Sequence, residues 1–224
     1  MSATRLVTVA HGTRSAAGNR VAADLTAAAG ELLGLPATAA YVELCAPSLP
    51  EVLAASDEPT VVVPLLLSTG HHVRHDLPAA LATARGPVVL GPPLGPHRLL
   101  AQAQADRLRE AGAELGQPVV MVAAGSRDPL ATRDLARAAA HLTDLWGGPV
   151  DVATLGGSGP RPGDVVTGDC AVSPYLLADG HFADRLRETC RDAAAVAGVL
   201  GPHPAVVRLV AERAESLRSG RRSA

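Results

Sequence analysis

Short runs of apolar, β-branched residues alternate with longer Ala-, Leu- and Arg-rich stretches along the whole chain. The runs at 61–67 and 119–123 are apolar at every position, which is typical of parallel strands covered on both faces. The predicted strands are Leu6–Ala10, Ala37–Glu43, Val61–Leu67, Val88–Leu90, 119–123, 150–155, 170–176 and 196–199. The predicted helices are 16–34, 47–56, 74–84, 96–113, 129–146, 180–195 and 203–218. This alternation predicts an α/β fold in which mostly parallel sheets are flanked by helices.

The second half of the chain repeats the first. Three ordered matches share similar sequence offsets: LVTVAHGTR (6–14) with VVMVAAGSR (119–127), VVPLLLSTGHH (62–72) with VSPYLLADGHF (172–182), and LGPH (94–97) with LGPH (200–203). The small drift of the offset is what loop-length differences produce. We therefore predict two duplicated α/β domains, 1–114 and 115–224.

Three polar residues end or follow neighbouring predicted strands of the first half. His11 follows the first strand, Glu43 closes the second, and His72 follows the third. Because ligands of open α/β sheets bind beyond the carboxyl ends of the strands, these side chains are candidates for one site. Imidazoles and a carboxylate bind divalent metals or move protons. The repeat has Ala124 and Phe182 at the two histidine positions, and it offers no acid opposite Glu43, which favours function over folding as their role.

Hydroxyl and guanidinium groups occupy the turns after the first strand of each half. Thr13 and Arg14 lie in one turn, and Ser126 and Arg127 lie in the other. These groups can hold substrate carboxylates from opposite sides of an interdomain cleft. Alternatively, the hydroxyls cap the following helices and the arginines pair locally.

The remaining histidines have less specific positions. His71 is matched by His181 in the repeat, and His97 is matched by His203. We predict that these four begin helices or lie in loops rather than bind a ligand. His75 is predicted to be exposed.

Composition narrows the possible functions. Lys+Arg is 20 against Asp+Glu 22, the net charge is −2, and every basic residue is Arg. With no basic field and only 2% aromatic residues, nucleic-acid binding is not expected. The absence of Lys excludes Schiff-base chemistry and a Lys-dependent phosphate loop, so the Gly-rich stretch 156–164 is predicted to be a surface loop.

Cysteine usage and hydropathy indicate the cellular setting. The wide spacing of Cys45, Cys170 and Cys190 matches neither a disulfide framework nor a zinc knuckle. The start of the sequence lacks a signal-peptide pattern, and no apolar run approaches 18 residues. We therefore expect a cytoplasmic protein without a membrane segment.

The ordered motifs resemble a known family. AHGTR after the first strand, VELCAPSLPEVL after the second and VVPLLLSTGHHVRHDLP after the third resemble the sirohydrochlorin chelatase family, the CbiX-type cobaltochelatases and ferrochelatases. VAAGSRDP and VSPYLLADGHFADRL resemble the C-terminal half of its long, duplicated members. The resemblance implies an ATP-independent chelatase whose two α/β domains hold a tetrapyrrole between them. Its activity would be insertion of Fe²⁺ or Co²⁺ into sirohydrochlorin for siroheme or cobalamin synthesis, with the metal as substrate and no nucleotide.

The resemblance also assigns roles to residues. The metal-binding histidine pair of the family falls on His11 and His72, and its acidic residue falls on Glu43, which with the histidines is a candidate proton acceptor. The presence of His71 directly before His72 departs from the family pattern. That pattern favours His72 as the ligand.

The peripheral carboxylates of a tetrapyrrole can be bound by Arg side chains, and every basic residue of this chain is Arg. Arg14, Arg74 and Arg127 are the candidates for holding them at the rim of the cleft. Because the duplicated chain supplies both walls of the cleft, we expect a monomer.

Two other functions use similar residues. A histidine phosphatase also has His-Gly after its first strand, but it requires Arg directly before that His, and this chain has Ala10. A non-catalytic carrier of Co²⁺, Ni²⁺ or Fe²⁺ could use the same histidines, although it has little need for a second wall around a macrocycle.

Overall fold

The computed structural model describes residues 3–70 and 72–220. His71 and the side chain of His72 lie outside the described part. The strands are β1 (Arg5–Ala10), β2 (Ala37–Tyr41), β3 (Thr60–Pro64), β4 (Val88–Leu90), β5 (Val119–Ala123), β6 (Val150–Thr154), β7 (Ala171–Tyr175) and β8 (Ala195–Val196). The helices are α1 (Ala16–Leu33), α2 (Leu49–Ala54), α3 (Leu77–Ala80), α4 (Arg98–Glu110), α5 (Pro129–Trp146), α6 (Pro162–Val165), α7 (His181–Thr189) and α8 (Pro204–Arg218).

The strands form two four-stranded sheets in which every pairing is parallel. The strand order is β2-β1-β3-β4 in the first sheet and β6-β5-β7-β8 in the second. Parallel neighbours need crossover connections, which the intervening helices supply. The predicted fold class, two duplicated units with mostly parallel sheets flanked by helices, is confirmed.

The register of the two sheets follows the internal repeat. Val9 of β1 pairs with Pro64 of β3, and Val122 of β5 pairs with Pro174 of β7. These are the residues that the sequence alignment of the two halves places at equivalent positions. The duplication seen in the sequence is therefore also a duplication of strand pairing.

Some predicted elements differ from the observed ones. The helix predicted over 74–84 is a π-type turn (His72–Asp76), then the short α3, then a 3₁₀ turn (Leu81–Thr83). Pro78 lies in the first turn of α3, where it cannot donate the hydrogen bond that would continue a preceding helix.

The Gly-rich stretch after β6 also differs in part from the prediction. Its residues 157–161 are exposed, as expected for a surface loop, but α6 begins at Pro162. Oδ2 of Asp164 accepts a hydrogen bond from the backbone N–H of Arg161 at 3.1 Å. This local cap and the Pro in the first turn are sufficient to begin a short helix.

The helices that end each half pack on the sheet of the other half. Helix α4 follows β4 of the first sheet but contacts β7, and α8 follows β8 of the second sheet but contacts β3. Nε2 of Gln104 on α4 donates a hydrogen bond to Oγ of Ser173 on β7 at 2.9 Å, and both residues are buried. A carbon of Leu217 on α8 lies 2.9 Å from where a Cβ on Gly91 would be. The exchange gives the two halves a common hydrophobic core.

Helix length and hydropathy bear on membrane insertion. Within residues 3–70 and 72–220, no helix has the length and the apolar content to span a membrane.

Candidate active site

A cleft of about 800 Å³ lies where the carboxyl ends of the two sheets face each other. Its walls include residues 10–14 and 65–70 from the first half and 123–126 and 175–182 from the second. This volume lies within the usual range for sites that enclose a small organic molecule. The site is at the sheet edges, as the rule for open α/β folds predicts.

His11 and Glu43 meet at this edge. Nε2 of His11 lies 3.1 Å from Oε1 of Glu43, and the two side chains are 45% and 51% exposed. Nδ1 of His11 lies 3.2 Å from the carbonyl oxygen of Gly12, which orients the ring. An imidazole nitrogen beside a carboxylate oxygen can share a proton or bind a divalent cation. The predicted proximity of these two residues is therefore observed.

Backbone hydrogen bonds hold the two residues together beyond the ends of β1 and β2. The N–H of Val42 donates to the carbonyl of Ala10 at 2.9 Å, and the N–H of Glu43 donates to the carbonyl of His11 at 3.1 Å. Gly12 has φ 93°, and a Cβ there would lie 2.0 Å from the carbonyl oxygen of Glu43. Only Gly allows this close approach, so the Gly of the AHGTR motif positions the pair.

The second half repeats this backbone without its side chains. The N–H of Gly156 donates to the carbonyl of Ala124 at 2.9 Å, and a Cβ on Gly125 would lie 2.0 Å from the carbonyl oxygen of Gly156. Ala124 and Gly156 are thus the structural equivalents of His11 and Glu43. The polar pair therefore occurs only at the first of these two equivalent places.

Leu44, directly after Glu43, has an unusual backbone conformation. Its φ is 69°, in the left-handed region, and its side chain is exposed at the cleft. The equivalent residue in the repeat is Gly157, which has φ 64°. A non-Gly residue in this region costs about 1 kcal/mol. Leu44 was not predicted, although alignment of the two halves pairs it with Gly157.

The loop that leads to His72 is held by the second half. The hydroxyl of Tyr175 donates a hydrogen bond to the carbonyl of Leu67 at 3.0 Å, and the N–H of Thr69 donates to Oδ2 of Asp134 at 2.7 Å. Burial raises the pKa of Tyr175, and the nearby Asp134 carboxylate raises it further, so the phenol stays protonated and donates. Asp134 and Tyr175 were not predicted, because no local pattern marks a contact between distant halves.

The predicted substrate-binding residues divide into two groups. Thr13, Arg14 and Ser126 line the cleft, whereas Arg74 and Arg127 are exposed and are not among its lining residues. Nη1 of Arg74 lies 3.5 Å from Oδ2 of Asp128 in the second half. Arg74 thus bridges the two halves near the cleft.

The alternative that Thr13 and Ser126 cap the following helices is wrong, because other residues are the caps. Ser15 caps α1 and Asp128 caps α5. Thr13 and Ser126 each lie two residues earlier, where their hydroxyls accept hydrogen bonds from the N–H of Ser15 at 3.1 Å and of Asp128 at 3.1 Å.

Several other histidines have structural positions. His97 and His203 begin α4 and α8, and their Nδ1 atoms accept hydrogen bonds from the backbone N–H groups of Leu99 and Ala205. His181 begins α7, and His75 is exposed. The predicted helix-start or loop position is confirmed for His97, His181 and His203, and the predicted exposure is confirmed for His75. His71 lies outside the described residues, as does the side chain of His72, so the choice between them stays a prediction.

No group of three or more His, Cys, Asp or Glu side chains close enough to hold a metal ion occurs among residues 3–70 and 73–220. His11 and Glu43 are two such side chains, and the predicted third, His72, belongs to the residues whose side chains are not described.

Comparison with known proteins identifies the family. The CbiX family model matches residues 5–111 and 118–217. The chain belongs to the CbiX family. The predicted resemblance to the sirohydrochlorin chelatases is thereby confirmed, and the two matched segments correspond to the two halves of the fold.

Two named relatives are similar to this chain at low sequence identity. A sirohydrochlorin ferrochelatase from Priestia megaterium is 25% identical over 207 residues, which cover 81% of this chain and 77% of the relative. A sirohydrochlorin cobaltochelatase from the same organism is 26% identical over 189 residues, which cover 73% of this chain. The match spans 62% of that cobaltochelatase.

The fold of this CbiX-family chain also matches a solved structure. SirB from Bacillus subtilis, solved with Fe³⁺, superposes with a TM-score of 0.83 at 22% identity, covering 97% of this chain and 96% of SirB. This likeness shows that the chelatase fold extends over nearly the whole chain.

Proposed function

We propose that this protein inserts a divalent metal ion, Fe²⁺ or Co²⁺, into sirohydrochlorin without ATP, for siroheme or cobalamin synthesis. The observation that carries the proposal is the contact between His11, which lines a two-walled cleft, and Glu43, which lies beside His11. The second half has Ala124 and Gly156 at the equivalent positions. A site with metal-binding groups on one side suits delivery of an ion to one face of a flat macrocycle. The names of the Priestia relatives support this substrate and these metals.

The metal is a substrate in this reaction, and His11 and His72 are its proposed ligands. Two imidazoles hold a borderline ion less firmly than a complete tetrahedral set of protein ligands, so the ion can pass to the tetrapyrrole nitrogens. The side chain of His11 is 45% exposed, which leaves the bound ion open to the cleft.

Glu43 is the proposed proton acceptor. Each divalent ion that enters the macrocycle replaces two pyrrole N–H protons, which must leave the site. Glu43 takes one proton at a time and releases it to water, since its side chain is 51% exposed and lies beside His11. Charge balances because one M²⁺ enters and two H⁺ leave.

Polar groups at the cleft are proposed to hold the carboxylates of the substrate. Thr13, Arg14 and Ser126 line the cleft. Arg74 and Arg127 are exposed and directly follow the lining residues Val73 and Ser126. Guanidinium groups bind carboxylates through two parallel hydrogen bonds, which fixes orientation as well as affinity.

The deciding experiment is an anaerobic metallation assay. Protein, sirohydrochlorin and either Fe²⁺ or Co²⁺ are mixed without nucleotide, and the visible spectrum of the tetrapyrrole is followed against a no-enzyme control. We expect catalysed metallation by the wild type, and the faster metal indicates the physiological substrate. Metal binding without any acceleration would instead indicate a metal carrier, and acceleration only with added ATP would contradict the proposed reaction class.

A further inference from the structure

Two large apolar side chains are exposed at the cleft, one from each half. Leu44 is 51% exposed and Phe182 is 44% exposed, and both belong to the cleft lining. Phe182 is the only Phe in the chain. Exposed apolar groups that face a binding cleft, unlike scattered ones, indicate contact with an apolar surface of the ligand.

The conformation of Leu44 strengthens this interpretation. Its left-handed backbone is a position that favours Gly, and the repeat has Gly157 with nearly the same φ. Leu at this position bears backbone strain and also leaves an apolar side chain in water. Neither feature contributes to folding, so the side chain has a role at the cleft.

Phe182 is the large exposed apolar residue on the other wall. It lies in the first turn of α7, and the alignment of the halves places it at the position of His72. Its ring packs edge-on against His181, with ring centroids 5.6 Å apart. Where the first half is predicted to present a metal ligand, the second half therefore presents an aromatic ring.

We propose that Leu44 and Phe182 contact the macrocycle from the two walls of the cleft and supply apolar binding free energy for the tetrapyrrole. The inference rests on the proposed function. A conjugated ring has apolar faces and charged edges, so apolar contacts belong at its faces and Arg residues at its rim.

The test measures tetrapyrrole binding and metal binding separately. Sirohydrochlorin binding is titrated without metal from its visible absorption, and Co²⁺ binding is titrated without tetrapyrrole. We expect Leu44→Ala, Leu44→Gly and Phe182→Ala each to raise the Kd for sirohydrochlorin by roughly tenfold. Each variant removes one apolar contact that becomes buried when the tetrapyrrole binds. The Kd for Co²⁺ should stay unchanged. Phe182→Leu should retain part of the tetrapyrrole affinity.

Leu44→Gly provides a further readout. Because Gly relieves the left-handed strain, this variant should unfold at a temperature no lower than that of the wild type while it binds sirohydrochlorin more weakly. Leu32→Ala and Leu115→Ala are the matched controls, since both leucines are exposed and lie outside the cleft lining.

The outcomes separate the inference from the function on which it rests. If the wild type binds and metallates sirohydrochlorin and the cleft variants bind it as tightly as the controls do, the inference is wrong and the proposed function stands. If the wild type does not bind sirohydrochlorin at all, both are wrong. Equal weakening of Co²⁺ binding would also overturn the inference, because the variants would then act through the metal site.

Discussion

The backbone N–H of Thr69 donates a hydrogen bond of 2.7 Å to Oδ2 of Asp134, which joins the two halves of the molecule. Thr69 lies in the loop that leads to His72, and Asp134 lies on α5 of the second half. The equivalent residue on α1 is Val21, which cannot accept such a bond. The half that lacks the His11–Glu43 pair therefore holds the loop that is predicted to carry a metal ligand.

Asp134→Ala should weaken metal binding although Asp134 is not a proposed ligand. A hydrogen bond to a carboxylate contributes about 1.5–3 kcal/mol, so loss of the anchor should raise the Kd for Co²⁺ by roughly tenfold or more. Asp134→Asn keeps an acceptor oxygen and should restore most of the affinity. Titration of Co²⁺ by calorimetry measures this, with the exposed Asp144→Ala on the same helix as control. Equal affinity in Asp134→Ala and Asp144→Ala would refute the positioning role.

His11→Ala and Glu43→Gln should abolish most metallation without unfolding the protein. Both side chains are about half exposed and contribute little to the core. We expect the rate at saturating sirohydrochlorin to fall about a hundredfold or more for His11→Ala, and somewhat less for Glu43→Gln. Unfolding in urea should change by about 0.5 kcal/mol at most.

His203→Ala should show the opposite pattern. His203 begins α8, its Nδ1 accepts the N–H of Ala205, and its side chain is 13% exposed. Loss of this helix cap should cost about 1 kcal/mol of stability and leave metallation near the wild-type rate. If His203→Ala and His11→Ala impaired metallation equally, the asymmetry between the repeats would not mark the active site.

Gly12→Ala should destabilise the protein far more than Gly34→Ala. Both glycines have positive φ, but a Cβ on Gly12 would lie 2.0 Å from the carbonyl oxygen of Glu43, whereas a Cβ on Gly34 meets no atom within 4 Å. We expect a loss of about 1 kcal/mol for Gly34→Ala from strain alone, and about 3 kcal/mol or more for Gly12→Ala. Urea unfolding of the two variants measures the difference, and similar losses would show that the close contact with Glu43 is unimportant.

Stability should fall in mild acid in a way that depends on His97. Burial lowers the pKa of His97, and the nearby Arg213 guanidinium lowers it further. The unfolded chain therefore takes up a proton near pH 6.5, while the folded protein resists protonation. This contribution to stability is complete above about pH 6.5 and is lost as the pH falls through the lowered pKa of the folded state.

His97→Asn removes the titrating group and keeps a side-chain acceptor for the N–H of Leu99. The free energy of unfolding is measured in urea at about pH 7.5 and about pH 5.5. The variant should lose less stability between these two pH values than the wild type does. An identical loss in both proteins would assign the acid sensitivity to other groups.

The sequence by itself determined the α/β class, the internal repeat and the meeting of His11 with Glu43. These follow from local rules: apolar runs indicate buried parallel strands, and residues that end neighbouring parallel strands lie at one edge. The division into domains at residue 114, the monomeric state and the assignment of His72 stay predictions. The single helix predicted over 74–84 was wrong. The segment is divided into three short turns and helices, because Pro78 has no backbone N–H to continue a regular helix.

Only the tertiary structure decided which sheet each terminal helix covers and how Asp134 reaches the loop before His72. Helix α4 is amphipathic whichever sheet it covers, so its apolar face does not reveal that it packs on β7 of the other half. Asp134 likewise makes its contact with Thr69 of the other half. Such contacts join positions far apart in the chain, and their geometry is set by the packing of the two halves rather than by local pattern.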